Sequence, residues 1–242
     1  MSGHSKWNNI KHKKEKTDAQ KAKIFTKIGK EMVIAIKAGG PDPTSNSKLR
    51  DLIAKAKANN VPNDNIERTI KKAAGQTDVE YEELRYEGYG PAGVAVIVNT
   101  TTDNRNRTAS EVRHYFDKFG GNLGQTGCVS YMFEEKGVII VMREDVDEDA
   151  LMEAALEAGA SDFVAEDEVF EIYTETDDLG AVREALEAAG YAIESAEESM
   201  IPSNYVTLES EDDIKKMNLL LEHLEDNDDV QEVFHNCENC DM

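Results

Sequence analysis

Val138-Ile139-Ile140-Val141-Met142, then Asp149 to Ala158 closed by Gly159, Val169 to Thr174, Leu179 to Ala189 closed by Gly190, and Tyr191 to Glu194 form the stretch on which the fold turns. Short apolar runs rich in β-branched residues alternate here with segments of helical period, and each helical segment stops at a glycine. The order strand, helix, strand, strand, helix, strand over about 65 residues predicts a ferredoxin-like unit. Downstream, Tyr205 to Leu208, Glu211 to Leu224 and Val230 to Phe234 predict another βαβ. Upstream, Gly93 to Val98 reads as a buried strand. Thr108 and Glu111 match a capping box that opens a helix with Val112, Phe116 and Phe119 inside, stopped by Gly120-Gly121. Cys128 to Phe133 reads as a further strand. The two flanking pieces complete a second unit, so residues 136–202 are read as inserted in a discontinuous middle domain of residues 79–135 plus 203–242; a tandem arrangement fits the repeat pattern almost as well.

Ahead of this lies a helical segment, residues 1–78. Thr17 and Gln20 match a capping box, and Phe25, Ile28, Met32 and Ile36 recur at helical spacing until Gly39-Gly40-Pro41-Asp42-Pro43 ends the helix. A second helix from about Ser47 carries Leu49, Leu52, Ile53 and Ala56. A third opens at Asp64, with Glu67 in the capping-box position and Ile66 and Ile70 inside, and Gly75 closes it. The expected fold class is α+β: an N-terminal three-helix domain followed by two ferredoxin-like α/β domains, one inserted in the other. Residues 76–83 turn acidic and lose the helical pattern, which marks a linker.

Charge divides the chain in the same place. Residues 1–75 hold 17 Lys and Arg against 7 Asp and Glu, while the rest holds 10 against 42, for a net charge of −22. Such asymmetry suits an anionic partner for the basic part, or a solvated lysine-rich surface. Trp7, the single tryptophan, stands among Lys6, Asn8, Asn9, Lys11, Lys13 and Lys14, where its ring could stack on a base or pack on the following helix. At about 100° per residue, Lys16, Lys23, Lys27, Lys30 and Lys37 fall roughly opposite the apolar stripe. Residues 144–200 carry 20 acidic side chains and only Arg183 as a base, so that surface repels phosphate. It serves solubility or docks on a basic protein.

Gly3-His4-Ser5-Lys6-Trp7, Asn9-Ile10, Asp18, Lys23-Ile24-Phe25-Thr26-Lys27, Gly39-Gly40-Pro41-Asp42-Pro43 and Asn46 closely resemble the opening of the YebC/PmpR-like family. Tyr86-Glu87-Gly88-Tyr89-Gly90-Pro91, and Asp103-Asn104-Arg105-Asn106-Arg107-Thr108 through Gly120-Gly121-Asn122-Leu123-Gly124, resemble its second signature. The resemblance implies a three-domain plan and a role as a probable transcriptional regulator; the family also includes a mitochondrial translational activator and ribosome-associated members.

No constellation for catalysis stands out. Gly120 to Gly124 follows a helix instead of opening one, which suits a helix end better than a phosphate loop. Asp103, Arg105, Arg107, Glu111, Arg113 and His114 contain acid and base types without an evident nucleophile, so Arg105, Arg107 and Arg113 are candidates for a second binding surface or for fold-stabilising contacts. Cys237-x-x-Cys240 follows His235 but lacks the second ligand pair of a structural zinc site. Three cysteines are an odd, sparse set that points to a reducing compartment rather than a disulfide framework. No membrane span, cofactor, metal or small-molecule substrate is expected. These features predict a cytoplasmic, non-enzymatic regulator of gene expression that binds DNA or structured RNA through Lys6, Trp7, Lys11, Lys13, Lys14, Lys23, Lys27 and Lys30. The alternative is a ribosome-associated translation factor, basic end on ribosomal RNA and acidic domain on protein.

Overall fold

Ile28, Met32, Ala35 and Ile36 line one face of a helix, and that face closes the first part of the chain. In the computed structural model, which describes residues 18–75 and 79–240, helix α1 spans Asp18–Gly39, α2 Ser47–Ala58 and α3 Asn63–Ala74. The α1 stripe packs with Leu49, Leu52, Ala56, Ile66 and Ala73 in one shared core. Each short helix needs the others, because an isolated helix of 12 residues is marginal in water. Asn46 makes the corner between α1 and α2. Its carbonyl oxygen accepts from the Leu49 amide at 3.0 Å, and its amide donates to the carbonyls of Ala35 and Gly40, both at 2.8 Å. Gly40 turns the chain there at φ 86°. The Thr17–Gln20 capping pair lies outside the residues whose side chains are described. The expected Asp64 cap is corrected: α3 starts at Asn63 behind Pro62, which makes no side-chain cap, and Glu67 lies 3.6 Å from Lys71 one turn on.

Among the described residues, residues 18–129 with Leu208–His235 form one compact unit, and Ser130–Thr207 with Asn236–Asn239 form another. Beyond the three helices, the first unit holds strands β1 (Glu82–Tyr89), β2 (Ala95–Thr102), β3 (Asn122–Leu123) and β8 (Val230–His235), and helices α4 (Arg105–Lys118) and α7 (Glu211–Asp226). The sheet order is β3-β1-β2-β8, antiparallel throughout. β1 and β2 form a hairpin around Pro91–Gly93, with Tyr89 opposite Ala95. Gly88 lets β3 and α4 approach, since a Cβ there would stand 2.6 Å from the Asn122 carbonyl and 2.9 Å from the Phe116 ring.

Four expectations for this region are corrected. Glu82–Tyr89 is a strand whose start overlaps the expected linker; one of its faces carries Glu83, Arg85 and Glu87, so the sequence there shows no apolar run. Cys128 to Phe133 is not a strand: the Glu87 carboxylate accepts from the amides of Gly127 at 2.9 Å and Val129 at 3.0 Å, which folds this segment as a loop before a 3-10 turn at Ser130–Met132. α4 begins at Arg105 under an Asn104 cap, not at Thr108, so Thr108 lies inside the helix. Tyr205 to Leu208 contributes only an isolated bridge, Val206 to Cys237.

The second unit contains β4 (Phe133–Met142), α5 (Glu148–Ala158), β5 (Asp162–Ala165), β6 (Val169–Thr174), α6 (Leu179–Ala188) and β7 (Ile193–Pro202). Its antiparallel order β5-β6-β4-β7 is the ferredoxin-like arrangement that the strand and helix pattern predicts. Ile139, Val141, Phe170 and Ile172 bury one sheet face against Leu151 and Ala155 of α5 and Val182 and Leu186 of α6. Each such Val, Leu, Ile or Phe side chain contributes about 1.5–3 kcal/mol. The predicted order calls for a second strand without giving its residues, and the structure places it at Asp162–Ala165. The whole is an α+β fold of three N-terminal helices followed by two antiparallel sheets.

Candidate nucleic-acid interface

Lys23, Lys27 and Lys30 occupy positions i, i+4 and i+7 of α1, so they form one row along the helix. The structure brings all three to the end of α7 and the turn that follows it. Lys23 Nζ bonds the Asp226 carboxylate at 2.8 Å and the Asp226 carbonyl at 3.2 Å. Lys27 Nζ donates to the Glu225 carbonyl at 2.6 Å. Lys30 Nζ reaches the Asp228 carbonyl at 2.8 Å, the Asp229 carboxylate at 2.7 Å and, more weakly, the Thr101 carbonyl at 3.4 Å. The last carbonyls of a helix lack intrahelical donors and lie at the negative end of its dipole. Lys23 and Lys27 therefore cap α7 from outside, and Lys30 holds the turn that follows.

The inner end of this row is a hydrogen-bonded hub around Asp229, whose side chain is 5 % exposed. One carboxylate oxygen holds Lys30; the other accepts from Arg107 Nη2 at 2.6 Å, Arg107 Nε at 3.2 Å, Thr108 Oγ1 at 2.8 Å and Thr102 Oγ1 at 3.1 Å. Burial alone would raise the Asp229 pKa, but the bonds from Lys30, Arg107 and Thr108 outweigh it and bring it down to about 2. Hydrogen bonds to Asp229 and then Asp103 push the Arg107 guanidinium further up. The adjoining Asn227 donates to Glu111 Oε2 at 2.7 Å, so Glu111 joins α4 to the turn instead of closing a capping box. Nearby, burial raises the Glu31 carboxyl; Lys55, 3.9 Å away, opposes that rise, and Glu232 and Glu83 add to it.

Of the residues expected to bind, Lys6, Trp7, Lys11, Lys13 and Lys14 lie outside the described residues. Arg107 belongs to the hub, while Arg105 and Arg113 stand exposed on α4. Sequence reasoning overlooked Asp229, Thr102 and Asn227; the Thr100-Thr101-Thr102 run at a strand end and the Asn227-Asp228-Asp229 turn were the available signals. It also overlooked Arg50, Lys57, Arg68 and Lys72 on α2 and α3, which are exposed and have no ion pair among the described residues. Cys237 and Cys240 are disulfide-bonded, where a reduced set was expected, and Cys128 is free. Among the described residues no cluster of three or more His, Cys, Asp or Glu could hold a metal, and no helix is long and apolar enough to cross a membrane.

The family model for the TACO1/YebC protein N-terminal domain matches residues 5–76, and that for the TACO1/YebC second and third domain matches residues 81–237. The chain belongs to the TACO1/YebC family. Relatives called "Probable transcriptional regulatory protein" are 64% identical in Acetivibrio thermocellus, over 238 residues, and 60% identical in Caldicellulosiruptor bescii, over 240; each match covers 98% of both chains. A crystal structure of a conserved hypothetical protein, Aq1575 from Aquifex aeolicus, superposes with a TM-score of 0.82 at 50% identity over 92% of each chain. The α1 row and the Asp229 hub thus lie within matched TACO1/YebC domains: the lysines in the N-terminal one, Arg107 and Asp229 in the segment that follows.

Proposed function

We propose that the chain is a cytoplasmic, non-enzymatic regulator of gene expression that binds nucleic acid through its N-terminal helical domain and acts on transcription. The observation that carries this reading is the charge of residues 1–75, +10 in a chain of net charge −22. Arg50, Lys57, Arg68 and Lys72 on α2 and α3 add exposed cations to this domain, since none of them is spent on a carboxylate among the described residues. The relatives' shared name supports transcription as the level of action. A domain plan of residues 1–78, 79–135 plus 203–242, and 136–202 goes with it: the basic domain meets phosphate, and the acidic insert, which repels phosphate within a Debye length of about 8 Å, is left to meet a basic protein.

Binding of the full chain to a labelled DNA duplex and to an RNA hairpin, measured between 50 and 200 mM salt, tests the reading. Affinity should fall steeply as salt rises. Lys13→Glu with Lys14→Glu should abolish most of it, and chromatin immunoprecipitation should recover promoter DNA. Equal binding by the double variant would defeat the charge argument. Co-sedimentation with ribosomes, lost in the double variant and without promoter recovery, would move the function to translation.

A further inference from the structure

The α1 lysine row already holds a set of oxygens that resembles what a nucleic-acid strand offers. Along the helix axis the three side chains are spaced by about 6 Å and then about 4.5 Å. Each meets a carboxylate or a helix-end carbonyl from residues 225–229, a segment with Glu225, Asp226, Asp228 and Asp229 within five positions. We propose that this α7–β8 turn occupies a phosphate-binding row on α1, and that a nucleic-acid strand takes its place at Lys23 and Lys27 while the Lys30–Asp229 pair stays closed. The proposal rests on the nucleic-acid reading above and adds an internal competitor to it.

Burial along the row is graded, which decides where exchange occurs. The Lys23–Asp226 pair is 38 % and 63 % exposed, and exposed pairs of this kind are worth little. The Lys30–Asp229 pair is 12 % and 5 % exposed and is held from the other side by Arg107, Thr102 and Thr108. The outer end is therefore easy to displace and the inner end acts as the fixed point. The contacts at the outer end are polar, one carboxylate and two helix-end carbonyls. The buried residues of the helical domain, Ile28 through Ala73, pack with Ile24, Phe25, Val33, Ile53 and Ile70 of the same three helices. Polyphosphate oxygens can take the place of the carboxylate and carbonyl oxygens at Lys23 and Lys27.

The test uses the full chain, a fluorescein-labelled 20-nucleotide oligouridylate and a labelled 20-base-pair mixed-sequence DNA duplex, with anisotropy read from 50 to 200 mM KCl. Asp226→Ala removes the exposed competitor and should tighten binding to whichever probe the parent takes by about two- to fivefold, the worth of an exposed pair. Lys23→Ala should weaken binding, and the double variant should show no gain from Asp226→Ala, because the gain requires the freed ammonium. Hydrogen exchange read by mass spectrometry should quicken in residues 225–228 when probe is added. The Thr101 amide, which donates to the Asp229 carbonyl at 2.7 Å, should stay protected. Parent binding with unchanged exchange, together with an Asp226→Ala variant no tighter than the parent, overturns the competition and leaves the nucleic-acid reading standing. Failure of the parent to bind either probe at 50 mM KCl overturns both.

Discussion

Replacing Asp229 with Asn should cost the fold about 3 kcal/mol at neutral pH. The carboxylate is almost wholly buried and accepts from Lys30, Arg107, Thr102 and Thr108, so the amide would turn an N–H group toward one of the two cations. Breaking a buried ion pair by removing one partner typically costs about 3–5 kcal/mol; exposure of much of the Arg107 side chain places this site at the low end. The pH dependence gives a second, comparable figure. The pKa of Asp229 is lowered to about 2 from an ordinary carboxylate value near 4. A folded pKa below the unfolded one means stability that is fully present above pH ~4 and lost as pH falls through ~2, and a shift of roughly two units is worth about 2.5 kcal/mol. Urea denaturation of parent and variant at pH 7, then along a series down to pH 2, measures both. The parent should lose this increment between pH 4 and 2, and the variant should lack it. A loss under 1 kcal/mol at pH 7, with pH curves that run parallel, would refute the assignment of Asp229 as the point that fixes α1, α4 and the α7–β8 turn together.

Asn46→Ala removes the α2 cap and both bonds to the end of α1, and should lower stability by about 1–2 kcal/mol in thermal melts, with faster amide exchange at Leu49. Glu87→Gln deprives the Gly127 and Val129 amides of a charged acceptor, which costs about 2 kcal/mol. The Cys128 thiol is held up by burial and then by the Glu87 charge, so the variant should lower its pKa and speed alkylation by iodoacetamide at pH 8; an unchanged rate would show that the Glu87 charge does not act on this thiol. Gly88→Ala puts a methyl group against the Asn122 carbonyl and the Phe116 ring, and should destabilise by about 3 kcal/mol, read as a lower urea midpoint.

Periodicity made much of this molecule legible because helices and buried strands write their partners into local spacing. The Ile28 to Ile36 stripe, the Leu49 to Ala56 stripe and the alternation from Val138 to Glu194 each show in a window of a dozen residues, and the corresponding elements stand close to where that spacing puts them. β1 is illegible for the converse reason: its charged face, Glu83, Arg85 and Glu87, makes the strand look like linker, and the buried Glu87 carboxylate accepts from two amides of the distant 127–129 loop. The same limit governs the lysine row. A helical wheel places Lys23, Lys27 and Lys30 opposite the core and so counts them as solvent-facing cations, yet the oxygens that receive them lie about two hundred positions later in the chain, |i−j| of 203, 198 and 199. A charge count adds these lysines to the binding surface; in the fold their ammonium groups are taken up by residues 225–229. Whether the row belongs to function or to architecture therefore depends on the free-energy difference between a phosphate strand and the α7–β8 turn. The graded burial from Lys23 to Lys30 makes that difference smallest where the row is most exposed.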